Sequence, residues 1–60
     1  MTPLDAYETA RVLAGHGIDS DAVTTTDIDT AADLAGTPRP DGPDDRHTVR
    51  IALDAIGDTR

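Results

Sequence analysis

The fold of this chain is decided by residues 44–57, DDRHTVRIALDAIG. Four apolar side chains in this stretch recur at the helical spacing i, i+3, i+4 and i+7: Val49, Ala52, Leu53 and Ile56. Asp44 or Asp45 can cap the start of a helix, and Gly57 suits the position just after its end. The pattern therefore predicts an amphipathic helix over about residues 44–56, with one face available for burial.

A first helix is predicted at the start of the chain. Thr2 suits an N-cap, Pro3 suits the first helical position, and Asp5 completes the spacing of a capping box. The expected apolar face consists of Leu4, Tyr7, Ala10, Leu13 and Ala14. Because a left-handed terminating residue favours glycine, Gly15 or Gly17 is expected to end the helix. The prediction is a helix over about residues 3–15.

A short helix is predicted between these two. Thr26 can cap it, with Asp29 at the capping-box position, and Gly36 can end it. Its expected apolar side consists of Ile28, Ala31, Ala32, Leu34 and Ala35. These signals predict a helix over about residues 27–35. The preceding residues 22–25 fit either a short strand or a turn of helix begun at Ser20.

The arrangement predicts an all-α fold in which residues 1–60 form one small three-helix domain. Pro38, Pro40, Gly42 and Pro43 favour a loop between the last two helices. A chain of 60 residues buries only about 60% of the surface that its unfolded form exposes, so its stability is expected to be marginal. Association with a second copy or a partner is the expected remedy, since the chain has no cysteine for disulfides.

The composition is strongly acidic. The net charge is −7 because 12 Asp and Glu residues face 5 Lys and Arg residues. A G+C-rich coding sequence or a salt-rich cell interior would explain this composition without reference to a site. The functional explanation is a surface that repels nucleic acid and anionic membranes, or that imitates nucleic acid. No apolar run has the length of a membrane span and no signal-peptide pattern is visible, so a soluble cytoplasmic protein is expected.

The residues that could carry catalysis or bind a metal form no recognised pattern. Ser20, His16 and Asp21 are close in sequence, but no element is predicted to hold them as a catalytic triad. The aspartates at 27, 29 and 33 lack the glycine and the terminal Glu of an EF-hand loop. His16 and His47 fit no zinc-ligand spacing. We therefore expect no catalytic residue, no metal and no cofactor.

The basic residues are concentrated in one part of the sequence. Arg46 and Arg50 are four residues apart, on one face of the third predicted helix, and Arg39 precedes them. The candidate binding residues for nucleic acid or a partner are Arg39, Arg46, His47, Thr48 and Arg50. Three interpretations of the face formed by Arg46, His47 and Arg50 remain open: local pairing with Asp44, Asp45 or Asp54, contact with DNA, and contact with a protein partner.

Residues 30–36, TAADLAG, followed by 47–56, HTVRIALDAI, resemble the helix-turn-helix core of winged-helix bacterial and phage regulators. The resemblance covers about residues 26–57. It implies that Arg46, His47, Thr48 and Arg50 would face a DNA groove, as residues at the start of a recognition helix do. The linking loop, residues 37–45, is longer than the turn of that family.

Two functions are consistent with these features. The first is a small non-enzymatic, helix-turn-helix-like regulatory or DNA-binding accessory protein, expected to be a homodimer. The alternative is an acidic protein–protein interaction module of unknown partner, comparable to a phage or antitoxin-like inhibitor and able to imitate DNA.

Overall fold

The structure, a computed structural model, describes residues 2–58. Within that range it contains three helices, α1 (Pro3–Gly15), α2 (Thr25–Ala35) and α3 (Pro43–Asp58). This confirms the all-α, three-helix fold class. The second and third helices begin earlier than their patterns predicted, and the third also ends later.

The start of α2 differs from the prediction. Thr24, not Thr26, is the N-cap. Its hydroxyl accepts from Asp27 N–H at 3.2 Å, and Asp27 Oδ2 accepts from Thr24 N–H at 3.1 Å, which together form a capping box. This choice places Val23 before the cap and Ile28 at the fourth helical position, and both are buried in one core cluster. A cap at Thr26 would put polar threonines at these two positions, so the apolar pair explains the earlier start.

The residues before this cap form a turn. The N–H groups of Ala22 and Val23 both donate to the carbonyl of Asp19, each at 3.0 Å. Because these bonds close a local turn, no strand forms over residues 22–25 of the described chain. The strand alternative is therefore wrong, and the burial of Val23 reflects its place next to the cap.

The end of α1 is closed by glycine in the left-handed conformation. Gly17 has φ +75°, and its N–H donates to Ala14 O at 3.0 Å. Ile18 N–H reaches back to Leu13 O at 3.1 Å, which completes a Schellman motif. Ile18 also packs against the core, so the motif turns the chain toward α2 with an apolar contact.

The three helices are arranged around α1. α1 packs extensively against both α2 and α3, whereas α2 and α3 scarcely contact each other. The largest fully buried apolar side chains come from one helix each: Leu13, Ile28 and Val49. The alanines at positions 6, 10 and 14 are also buried, which allows the helix backbones to approach closely.

Two residues of the expected apolar face of α1 lie outside the core. Leu4 is 67% exposed and Tyr7 is 46% exposed, because the small alanines of α1 occupy the interface instead. The Arg11 guanidinium lies 5.9 Å from the centroid of the Tyr7 ring and covers part of it. On α2, Leu34 is likewise exposed, at 64%. The prediction of burial is therefore confirmed for Ala10, Ala14, Ala31 and Ala32 and wrong for Leu4, Tyr7 and Leu34.

A buried hydroxyl takes part in the core. Thr9 has no exposed surface, and its Oγ1 donates to Asp5 O at 2.9 Å. Because that hydroxyl has one proton, Thr37 Oγ1, just beyond α2, donates to Thr9 Oγ1 at 3.0 Å, and Ala32 O lies 3.4 Å from Thr37 Oγ1 as a longer alternative acceptor. The pair joins the middle of α1 to the chain leaving α2, so it helps to position the loop that leads to α3.

None of the helices within residues 2–58 is long and apolar enough to cross a membrane.

Candidate functional site

The predicted basic residues do not form one surface. Arg39 lies in the loop after α2, where its Nε donates to Asp33 Oδ1 at 3.0 Å and its Nη2 donates to Asp33 Oδ2 at 2.5 Å. The remaining four residues lie on α3. Arg39 is therefore held by an aspartate of α2, a pairing that the sequence analysis did not predict.

The ion pair between Arg39 and Asp33 changes the ionisation of both groups. The hydrogen bonds from Arg39 lower the pKa of the Asp33 carboxyl below its usual value, and its positive charge adds to this effect. The same hydrogen bonds raise the pKa of Arg39. Both side chains are more than half exposed, so the pair neutralises charge locally without being a large source of stability.

Arg46 is not fully available to a partner. It is half-buried on α3, between the core face and the solvent face of the helix. Its Nε is buried and has no hydrogen-bond partner within residues 2–58. The sequence pattern treated Arg46 as an exposed partner of Arg50, but its long side chain lies partly against the body of the protein.

His47, Thr48 and Arg50 are exposed on α3, as a binding face requires. The Thr48 hydroxyl donates to Asp44 O at 3.0 Å, an interaction within the helix itself. The Arg39–Asp33 contact is the one ion pair that joins two described residues, so neither Arg46 nor Arg50 pairs with a carboxylate of residues 2–58. The exposed basic part of α3 is therefore small, consisting of Arg50 and the neighbouring His47.

A groove that the sequence did not reveal lies between the α1–α2 connection and the end of α3. It has a volume of about 260 Å³. Its polar lining is acidic and comes from Asp19 and Asp21 on one side and from Asp54 and Asp58 on the other. We call these four aspartates, with the apolar residues between them, the acidic groove.

The acidic groove has an apolar base and one cross-link. Ile18 and Leu53 also line the acidic groove, and Leu53 is almost fully buried. Ser20 Oγ donates to Asp54 Oδ1 at 3.3 Å, which connects the two sides. Ser20 and Asp54 are 34 residues apart in the chain, so no local pattern could have predicted their contact. The available signal was the Asp-Ser-Asp sequence after the helix-ending glycine.

The side chains that commonly bind metals are dispersed. Across residues 2–58, no three His, Asp or Glu side chains come together in an arrangement that could hold a metal ion. His16 lines a second groove, together with residues of α1 and α2.

No protein-family model matches this chain, and no curated protein and no solved structure is significantly similar to it.

Proposed function

We propose that this protein is a non-enzymatic, cytoplasmic interaction module that binds a basic segment of a partner protein. The acidic groove is the observation that carries the proposal. It combines the carboxylates of Asp19, Asp21 and Asp54 with an apolar base, on a chain whose net charge is −7.

The acidic groove suits an arginine or lysine side chain. The aliphatic part of such a side chain can lie along the half-buried Ile18 while its cationic end reaches the carboxylates. Hydrogen bonds between a guanidinium and carboxylates are stronger than neutral ones, and they are directional. The negative field of the whole chain would also accelerate the encounter with a basic partner.

The experiment uses a short helical peptide built from alanine and regularly spaced arginine. Binding is measured by calorimetry and by backbone NMR shifts of the protein. We expect the shifts to centre on residues 18–21 and 53–58, and the affinity to weaken with salt. The double variant Asp19→Asn/Asp21→Asn should reduce binding.

The matched control is Asp41→Asn/Asp44→Asn, which removes the same charge from exposed positions outside the acidic groove. If the two double variants weaken peptide binding equally, the chain attracts cations only through its overall charge, and the proposed site is wrong. Peptide binding that perturbs neither side of the acidic groove would contradict it equally.

DNA binding through α3 is the second candidate. The exposure of His47, Thr48 and Arg50 favours it, since these residues would face a groove according to the helix-turn-helix resemblance. We rank it second because Arg39 is already paired and the net charge opposes association with phosphates. Arg46 is also half-buried, which leaves few cations for the duplex.

A gel-retardation assay with a pool of duplexes tests this candidate between about 50 and 200 mM salt. DNA binding predicts retardation that Arg50→Gln abolishes and Arg39→Gln leaves almost unchanged, because the Arg39 side chain is held by Asp33. The absence of retardation at the lower salt concentration would refute this candidate.

Homodimerisation belongs to the same proposal. Leu4 and Tyr7 are exposed one turn apart on α1, where a second copy could cover them. Sedimentation equilibrium over a wide range of protein concentrations tests it, with Tyr7→Gln as the variant expected to favour the monomer. A wild-type protein that stays monomeric throughout would show that this part of the proposal is wrong.

A further inference from the structure

A second groove lies between the C-terminal half of α1 and α2. Its lining is mainly apolar, with His16, Asp27 and Thr30 at its polar edge. The apolar lining consists of Val12, Leu13, Ile18, Ala31 and Leu34. We call it the apolar groove. It shares Ile18 with the acidic groove, so the two lie on either side of the same residue.

The size and exposure of the apolar groove suit one side chain. Its volume is about 120 Å³. An apolar cavity of about 150 Å³ holds a benzene ring, so this groove is large enough for a single branched aliphatic side chain. Leu34 borders it and remains 64% exposed, on a helix whose other large apolar side chain, Ile28, is fully buried.

The charge around the apolar groove indicates what kind of partner can approach. α2 carries Asp27, Asp29 and Asp33 and no basic residue. Asp33 is paired with Arg39, but Asp27 remains at the polar edge of the groove. A second copy would bring its own acidic α2 close to this α2, and the like charges would repel. A basic segment would instead be attracted by both grooves.

We propose that the apolar groove receives one leucine-like side chain from the same basic partner segment whose cation occupies the acidic groove. The inference rests on the proposed function and specifies the partner further: a segment with an aliphatic anchor and flanking arginine or lysine. The shared Ile18 places both contacts on one continuous surface, so one short segment can reach both. Burial of the anchor contributes affinity, and the carboxylates contribute orientation and salt dependence.

The experiment compares three peptides of equal length. The first contains regularly spaced arginines and a central leucine, the second has that leucine replaced by alanine, and the third keeps the leucine but has glutamine in place of arginine. Calorimetry gives the affinities, and methyl NMR shifts of Val12, Ile18 and Leu34 locate the leucine. Replacing leucine with alanine should weaken binding about tenfold or more.

Leu34→Gln and Ile51→Gln form the matched pair of protein variants. Both residues are exposed leucine or isoleucine side chains on helices, at 64% and 57%, but Ile51 does not line the apolar groove. Leu34→Gln should remove the advantage of the leucine peptide, and Ile51→Gln should preserve it. Circular dichroism checks that both variants keep the helical fold.

Each outcome decides the inference. Equal binding of the leucine and alanine peptides overturns the apolar anchor and leaves the proposed function standing. Failure of every arginine peptide to bind overturns both. Equal binding of the arginine and glutamine peptides overturns the basic character of the partner. A change in sedimentation caused by Leu34→Gln alone would show that a second copy, and not a basic segment, occupies the apolar groove.

Discussion

The hydroxyl of Thr9, buried in the middle of α1, lies 3.0 Å from the hydroxyl of Thr37, just beyond α2. The contact joins residues 28 apart in the chain. Each hydroxyl also has a carbonyl within reach, Asp5 O for Thr9 and Ala32 O for Thr37. A buried polar group is tolerated when it is hydrogen-bonded, and this pair satisfies that condition while connecting two helices.

Thr9→Val should destabilise the protein by about 1–2 kcal/mol, because it keeps the side-chain shape but removes the buried hydrogen bonds. Thr48→Val is the matched control. The Thr48 hydroxyl makes the same kind of bond to the carbonyl four residues earlier, but Thr48 is exposed. Urea unfolding measures both variants. Equal small losses would show that the Thr9–Thr37 contact contributes nothing beyond the bond within α1.

Gly36→Ala and Gly15→Ala should change stability in opposite directions. A Cβ at either glycine would meet no atom within 4 Å, so crowding does not distinguish them. Gly36 has φ +74°, which is unfavourable for alanine by about 1–2 kcal/mol. Gly15 lies in α1 and its φ is not positive, so Gly15→Ala should stabilise the folded protein by about 0.4–1 kcal/mol. Thermal unfolding gives the sign, and destabilisation of equal size at both positions would contradict the argument.

Thr24→Ala should cost about 1 kcal/mol, since it removes the acceptor that caps α2. Thr26→Ala should cost little, because Thr26 is exposed and lies inside the helix. The comparison tests which threonine begins α2. A larger loss for Thr26→Ala in chemical denaturation would favour the start predicted from the sequence.

The ion pair between Asp33 and Arg39 should appear in the pH dependence of stability. Because the folded pKa of Asp33 is lowered, the pair stabilises the fold above the unfolded pKa, about 4. This contribution is lost as the pH falls through the lower, folded pKa. NMR titration of the Asp33 carboxyl should show the lowered pKa, and Arg39→Gln should return it toward the usual value. A titration of Asp33 that is identical in the two proteins would mean that Arg39 does not hold this carboxyl.

The helices were largely predictable because their signals are local. The cap at Thr2 and the apolar spacing of α3 depend on neighbours within one or two turns, and the structure retains both. The error at the start of α2 arose among three consecutive threonines, two of which have aspartate three residues later. The burial of Val23 in the core favours Thr24 as the cap, and that burial depends on contacts with residues distant in the chain.

The candidate site was less predictable, because surface chemistry depends on which helix faces meet. The spacing of Arg46 and Arg50 was correct for one face of α3, but it could not show that Arg46 lies against the protein. Likewise, the sequence grouped Arg39 with the basic residues of α3, whereas in the fold Arg39 forms an ion pair with Asp33.

The sequence by itself determined three helices, their approximate limits, a proline-rich loop and an acidic balance, since these follow from composition and from contacts within a turn or two. Tertiary structure alone decided that α1 lies between α2 and α3, that Leu34 borders an open groove, and that Asp54 meets Ser20. The physical reason is that burial and charge pairing are set by residues distant in the chain, and closing those distances requires the whole core to form.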